Sequence, residues 1–152
     1  MDIRVSYAKA SNGTVLGRVH PGSDVIKGIE KICAECGIKN GWVDCIGSLR
    51  ETKYFILTKQ PQTKAGAGYG APIAVAGPVE LIAAQGLLVN GSVHLHGIMC
   101  DDQGRTFGGH IIAEGSPVLV TCEVSIADSP GLSCARGDDG EVDGMQFFPK
   151  GL

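Results

Sequence analysis

The spacing of apolar residues predicts a single helix in the first quarter of the chain. Apolar positions in this segment fall on one helical face, and they are Val25, Ile26, Ile29, Ile32, Cys33 and Cys36. Gly22 or Ser23 is expected to cap the N-terminus of the helix, and Gly37 is its natural stop signal. The pattern therefore predicts one long helix that buries an apolar face.

From Trp42 onward the apolar residues recur with a period of two, which is typical of half-buried strands. The predicted strands cover residues 15–19, 42–49, 52–57, 79–89, 93–100, 106–113 and 118–126. Asn90-Gly91 separates two of these strands and is a strong hairpin signal. The expected fold class is α+β, a mostly antiparallel or mixed β-sheet with one long helix packed on it.

The 152 residues are enough for one domain, so residues 1–152 are interpreted as a single unit with a core at about 14–127. Residues 58–78 are rich in Gly, Ala and Pro and are predicted to form a long loop. Loops of this length inside a domain are often functional. Residues 128–152 are predicted to be a polar C-terminal tail.

Composition limits the partners that this chain can bind through bulk charge. Its 13 Lys+Arg stand against 16 Asp+Glu, and the net charge of -3 does not favour DNA, which requires a basic footprint. No signal peptide or membrane span is predicted, because no basic region precedes an apolar stretch at the start. The expected location is the cytoplasm, with the six cysteines as free thiols.

Three of the four histidines fall in two consecutive predicted strands. His94 and His96 are two positions apart, so their side chains point to the same face of a strand. A three-residue turn would pair Asp101 with Arg105. In that register His96 lies directly opposite His110, and the three imidazoles converge. A two-residue turn would instead place His110 on the other face.

Three imidazoles on one face suit a divalent transition metal, most often zinc. Neutral imidazole is a common ligand of such metals, and three protein ligands leave a fourth position open. An open position binds water or a small ligand. The alternative is that the three histidines are solvated on the surface of the sheet.

Further residues near the histidines are candidates for the same site. Gly97, Gly108 and Gly109 lack side chains, so a ligand could approach closely, and they are predicted to be ligand-binding. Glu114 follows His110 by four positions. It is a candidate general base, or a residue that orients one of the metal-binding histidines. Capping of the following turn is the alternative role for Glu114.

The order of several motifs resembles a known family, the plants and prokaryotes conserved (PPC) domain. The motifs are Pro-Gly-Ser-Asp at 21–24, Cys-Ile-Gly-Ser-Leu at 45–49, Gly-Pro-Val-Glu-Leu-Ile at 77–82, His-Leu-His-Gly at 94–97 and Gly-Gly-His-Ile-Ile-Ala-Glu-Gly at 108–115. The resemblance extends over about residues 14–127.

This resemblance implies a mixed sheet with a helix and assembly as a homotrimer. It also implies that some bacterial and archaeal members, which are stand-alone domains, carry a metal at the positions that His94, His96 and His110 match. Plant members join the domain to an AT-hook that binds the DNA minor groove. The present chain has no Arg-Gly-Arg-Pro hook, so it resembles the stand-alone prokaryotic type.

Three hypotheses of function follow. The first is a trimeric zinc-binding domain that holds a small anionic ligand at the open metal position. The second is a DNA-binding or DNA-associated regulator, as the family label suggests. The third is a metal-dependent enzyme that uses metal-activated water, with Glu114 as base.

Overall fold

Eleven strands and one helix are present in the computed structural model, which describes residues 2–150. In chain order the elements are β1 Val5–Lys9, β2 Thr14–Val19, α1 Val25–Glu35, β3 Gly41–Phe55, β4 Leu57–Lys59, β5 Ala67–Tyr69, β6 Ile73–Val89, β7 Ser92–Asp101, β8 Thr106–Ile111, β9 Val118–Asp128, β10 Ala135–Gly137 and β11 Gln146–Phe148. Within residues 2–150 no helix combines the length and the hydropathy needed to cross a bilayer.

Helix α1 has 11 residues, so the prediction of a long helix is corrected to a short one. Its N-cap is Asp24, where either Gly22 or Ser23 was expected. The Lys27 amide donates to Asp24 Oδ1 over 3.1 Å. The Ser23 hydroxyl instead accepts a hydrogen bond from the Arg4 amide at 2.8 Å, which removes it from the cap. Only three turns are needed to bury the apolar face of this helix.

Seven strands form the main sheet in the order β1-β2-β9-β3-β6-β7-β8, and every pairing in it is antiparallel. Strand β3 is long and contains two register shifts, between Cys45 and Gly47 and between Leu49 and Glu51. Beyond the second shift, its residues Tyr54 and Phe55 pair with β8. The sheet therefore curls until its last strand meets β3 again.

The two faces of the sheet differ in what covers them. On one face α1 packs against β1, β2, β7 and β9, and the hydrophobic core lies between. The largest fully buried side chains there include Ile29, Ile32, Leu49, Leu81, Leu88, Leu95, Met99, Ile111 and Ile126. The opposite face, called the open face below, exposes apolar side chains such as Leu16, Ile46 and Ile98.

The predicted loop at 58–78 is corrected by three strands that fall within or beside it. Strands β4 and β5 pair with each other as a separate two-stranded sheet, the β4–β5 hairpin (57–69). Strand β6 begins at Ile73, because residues 73–76 pair with the end of β3. Within the predicted tail, β10 and β11 form another two-stranded sheet, the C-terminal hairpin (135–148).

Candidate metal centre

The turn between β7 and β8 fixes the register on which the histidine cluster depends. Gly104 has a φ of 78°, in the left-handed region that glycine adopts without strain. Its amide donates to the carbonyl of Asp101 at 3.0 Å, and the Asp101 amide donates to the carbonyl of Arg105 at 3.1 Å. The Arg105 Nε atom also donates to Asp101 Oδ2 at 2.7 Å. In the resulting ladder His96 lies opposite His110, which confirms the predicted register.

Strand alternation then places all three histidines on the open face. Leu95 is fully buried in the core, so its neighbours His94 and His96 point the other way. His110 shares the face of His96 because directly paired residues lie side by side on an antiparallel sheet. The cluster is partly exposed, with solvent access from the open face.

The three imidazoles are close enough to share one ion. The Nε2 atoms of His94 and His96 lie 2.9 Å apart. The ring centroids are 4.6 Å apart for His94 and His110, and 5.3 Å apart for His96 and His110. One ring nitrogen from each residue lies within 4.8 Å of the others. Three imidazole nitrogens at these separations fit a metal with bonds of about 2.0–2.1 Å.

Burial keeps two of these imidazoles neutral. The pKa of His94 is lowered to about 4, first by burial and then by the neighbouring His110 and Arg136. The pKa of His110 is also lowered, again first by burial and then by His96 and Arg136. Neutral imidazole is the form that binds a metal, so these two side chains present free lone pairs at neutral pH.

Aromatic side chains border the cluster on the side of β3. The hydroxyl of Tyr69, on β5, lies 3.3 Å from His110 Nδ1, and the centroids of these two rings are 5.1 Å apart. Phe55 pairs with His110 in the β3–β8 ladder, and its ring centroid lies 5.5 Å from that of Tyr69. Neither Tyr69 nor Arg136 was predicted as a site residue, since both lie in segments interpreted as loop and tail.

A polar network extends across the open face from the cluster. Gln85 lies opposite His96 in the β6–β7 ladder, and its Nε2 donates to Asp44 Oδ1 at 2.9 Å. Trp42 Nε1 donates to the other carboxylate oxygen of Asp44. A surface depression of about 530 Å³ lies beside these residues, lined in part by His96, Gln85 and Ile98. A small molecule therefore has room next to the histidines.

The three glycines predicted to bind a ligand lie beside this depression and also allow the strands to pack closely. A Cβ atom at Gly97 would lie 2.8 Å from Ile111 Cδ1, in the core. One at Gly108 would collide with the carbonyl of Gly97, and one at Gly109 with the carbonyl of Phe55. The neighbouring backbone thus requires glycine at Gly108 and Gly109, whereas core side chains crowd the position of a side chain at Gly97. Their contact with a ligand stays a prediction.

Glu114 is not brought into the histidine cluster. It lies beyond the end of β8, with a φ of 63°, and lines a separate cavity of about 540 Å³. Asp24, Lys27 and Glu51 line the same cavity, near the start of α1. The role of Glu114 as a general base stays a prediction, and its position outside the histidine cluster does not favour that role.

Comparisons with known proteins give the family and the fold. The model of the Plants and Prokaryotes Conserved (PCC) domain matches residues 7–130. Two Synechococcus proteins named bifunctional protein GlmU are 29% and 31% identical over 123 residues. These matches cover 80% of the present chain but 18% of each Synechococcus protein, so the chain spans a small part of those relatives.

Three solved structures share the fold at low sequence identity. A proposed DNA-binding protein from Bacteroides thetaiotaomicron gives a TM-score of 0.79 at 17% identity, over 95% of this chain and 97% of that one. A metal-containing protein from Archaeoglobus fulgidus gives 0.75 at 20% identity, over 97% and 99%. A plant- and prokaryote-conserved protein from Pyrococcus horikoshii gives 0.71 at 24% identity, over 91% and 90%.

The matched region begins within β1 and ends just after β9, so it includes the helix and all but the first two residues of the seven-stranded sheet. It also includes the histidine cluster and the turn that sets its register. The chain therefore belongs to the plants and prokaryotes conserved domain family.

Proposed function

We propose that this domain binds one divalent metal ion, zinc, through His94, His96 and His110, and holds a small ligand at the remaining metal position. The observation that carries the proposal is the convergence of three imidazoles within 4.8 Å of one another on the open face. Sites with three protein ligands leave a position for water or a small molecule. When bound there, zinc would supply a Lewis-acid centre.

Two further observations support a metal at this position. The lowered pKa values of His94 and His110 leave one ring nitrogen of each imidazole unprotonated, so a metal that binds this nitrogen does not have to displace a proton from it at neutral pH. The Archaeoglobus fulgidus protein of the same fold is a metal-containing protein. At 20% identity its metal supports the proposal without assigning ligands here.

Competition with a chromophoric zinc chelator tests the proposal. The wild-type chain should compete for zinc, and His96→Ala should weaken its affinity by about a hundredfold or more, because one of three ligands is lost. His20→Ala is the matched control, since His20 contacts Ser6 Oγ at 3.1 Å and lies outside the cluster. Equal competition by the wild type and His96→Ala would contradict the proposal.

We further propose that the protein assembles as a homotrimer through the open face. Leu16, Ile46 and Ile98 are 65%, 54% and 54% exposed, and large exposed apolar patches commonly mark interfaces. His96 lies two positions from Ile98 on the same face, so a neighbouring subunit would border the metal site. Light scattering should give a particle mass of three times the chain mass of 15.8 kDa. Ile46→Glu should lower this particle mass, because it places a charge in the proposed interface.

DNA association is the second candidate function, and the Bacteroides thetaiotaomicron relative of the same fold is a proposed DNA-binding protein. The net charge of -3 acts against it, because binding to the phosphate backbone requires neutralising cations. We expect no mobility shift of duplex DNA even at low salt, where such binding is strongest. A shift that disappears as salt rises would favour DNA association.

A further inference from the structure

The β4–β5 hairpin places the side chain of Tyr69 against the histidine cluster. Tyr69 pairs with Leu57 at the base of this hairpin, and Gln60 Nε2 donates to the Tyr69 carbonyl at 2.9 Å. Between the two strands of the hairpin, the Lys64 amide donates at 2.8 Å to Oδ2 of Asp143, which belongs to the C-terminal hairpin. The β4–β5 hairpin is therefore held at both of its ends, so the fold fixes the position of Tyr69.

Tyr69 makes two kinds of contact with His110. The Tyr69 ring packs beside the imidazole, with 5.1 Å between the ring centroids, and its centroid lies 5.5 Å from that of Phe55. The Tyr69 hydroxyl oxygen lies 3.3 Å from Nδ1 of His110, within hydrogen-bond distance. Ring packing thus sets where the phenol lies, and the hydroxyl contacts one particular nitrogen of the imidazole.

The contact at Nδ1 bears on which nitrogen of His110 is free to bind a metal. Neutral imidazole carries its proton on either Nδ1 or Nε2, and the hydrogen bond made by one nitrogen selects the form that is present. The Nε2 atoms of His94 and His96 converge to 2.9 Å, so Nε2 is the nitrogen that these two residues present to the metal position. For His110 to do the same, its proton must lie on Nδ1, where the Tyr69 hydroxyl accepts it. Tyr69 is 45% exposed, so it can donate its own hydroxyl proton to water.

We propose that Tyr69 is a positioning residue of the metal site: its hydroxyl accepts the Nδ1–H of His110 and so keeps the Nε2 lone pair of that imidazole free for the metal. Hydrogen bonds to the second ring nitrogen orient metal-binding histidines and make the imidazole a stronger ligand. This inference rests on the proposed metal site. It extends that site from the main sheet to the β4–β5 hairpin.

Isotope-edited NMR of the imidazole nitrogens in the metal-free protein tests the tautomer, because protonated and unprotonated nitrogens differ widely in chemical shift. The chain has four histidines, and the His110 signals are those lost in His110→Gln. At slightly alkaline pH, where imidazole is neutral, the Nδ1–H form of His110 should predominate in the wild type. In Tyr69→Phe, which keeps the ring and removes only the hydroxyl, the population should shift toward Nε2–H. A wild type with His110 in the Nε2–H form, or equal populations in the two proteins, would overturn the inference.

Zinc affinity tests whether the tautomer matters for the metal. Tyr69→Phe should weaken zinc binding about tenfold, while its melting temperature stays within about 2 °C of that of the wild type. Tyr7→Phe is the matched control, because it removes a phenol hydroxyl from β1, at the other end of the strand order from β8. This control should change neither zinc affinity nor the tautomer of His110.

The two measurements separate this inference from the metal proposal. Equal zinc affinity in the wild type and Tyr69→Phe would overturn the inference and leave the metal proposal intact. Failure of the wild-type protein to bind zinc would instead overturn the metal proposal. The tautomer measurement needs no metal, so it distinguishes that outcome from a failure of the contact between Tyr69 and His110.

Discussion

His96 lies directly opposite His110 in the β7–β8 ladder, with 5.3 Å between the centres of their rings. This pairing exists because the intervening turn has three residues and Gly104 adopts a φ of 78°. A slip of one residue would turn His110 toward the core. The candidate metal site therefore depends on the β7–β8 register as well as on the histidines themselves.

A side chain at Gly104 should strain this turn and lower the free energy of unfolding. Gly104→Val forces a β-branched residue into the left-handed region and should lower the free energy of unfolding by about 1–2 kcal/mol. Urea unfolding measures the change. Gln103→Val is the control, because Gln103 is exposed in the same turn and should change the free energy by less than about 0.5 kcal/mol. Equal effects of the two variants would show that the left-handed conformation at position 104 does not require glycine.

The titration of His94 gives a prediction about pH. Burial lowers its pKa to about 4 in the metal-free fold, whereas an unfolded chain titrates near the ordinary value of about 6.5. Between these values the unfolded state binds a proton that the folded state does not. The stability of the metal-free protein should therefore fall as pH decreases from about 6.5 to about 4.

NMR titration of the imidazole resonances measures the same quantity directly. The metal-free protein should show a His94 midpoint near pH 4. The His94→Gln variant should lose less stability than the wild type over the acidic range. A His94 midpoint near 6.5 would contradict the burial that the structure assigns to this ring.

A buried hydroxyl pair links β3 to the segment before β9. Thr52 Oγ1 and Ser116 Oγ lie 2.9 Å apart, and both residues are inaccessible to solvent. Thr52→Val should lower the free energy of unfolding by about 1–3 kcal/mol, because it leaves the Ser116 hydroxyl without this partner. Adding Ser116→Ala should recover part of that loss in thermal unfolding. If the loss of unfolding free energy in the double variant equals the sum of the losses in the two single variants, the two hydroxyls do not stabilise each other.

Gly109 should be intolerant of a side chain. A methyl group there collides with the backbone carbonyl of Phe55, so Gly109→Ala should separate β8 from β3 and displace the neighbouring His110. We expect weaker zinc binding together with a lower melting temperature. Ala113→Ser, beyond the end of β8, is a conservative control that should leave both unchanged. Full zinc affinity in Gly109→Ala would show that the site tolerates movement of this strand.

Local pattern was sufficient for much of the sheet, but it left the histidine cluster conditional on the length of one turn. Alternation identified most strands, and of the two turn lengths considered between β7 and β8, the structure has the three-residue turn that pairs His96 with His110. The alternation of apolar residues did not indicate that β3 continues through the bulge near Arg50, because the register shift between Leu49 and Glu51 interrupts it. The start of β6 at Ile73 was missed for a related reason, since its Gly- and Pro-containing first half gains order by pairing with β3.

The residues that border the site were beyond local pattern. Tyr69 reaches His110 across 41 positions of sequence. This contact has no periodicity or motif that would identify it in a single sequence. Asp24 replaces Gly22 or Ser23 as the helix cap because its second carboxylate oxygen also accepts the Ser116 amide at 3.0 Å, a long-range contact.

Elemental analysis of the purified, tag-free protein tests the central claim most directly. The account predicts about one zinc per chain in the wild type and in His20→Ala, and less than about a tenth of that in His96→Ala. The His96→Ala protein should keep its fold, as judged by circular dichroism, since its side chain lies on the open face. Absence of metal from the wild type after zinc is added back and the excess removed would contradict the account.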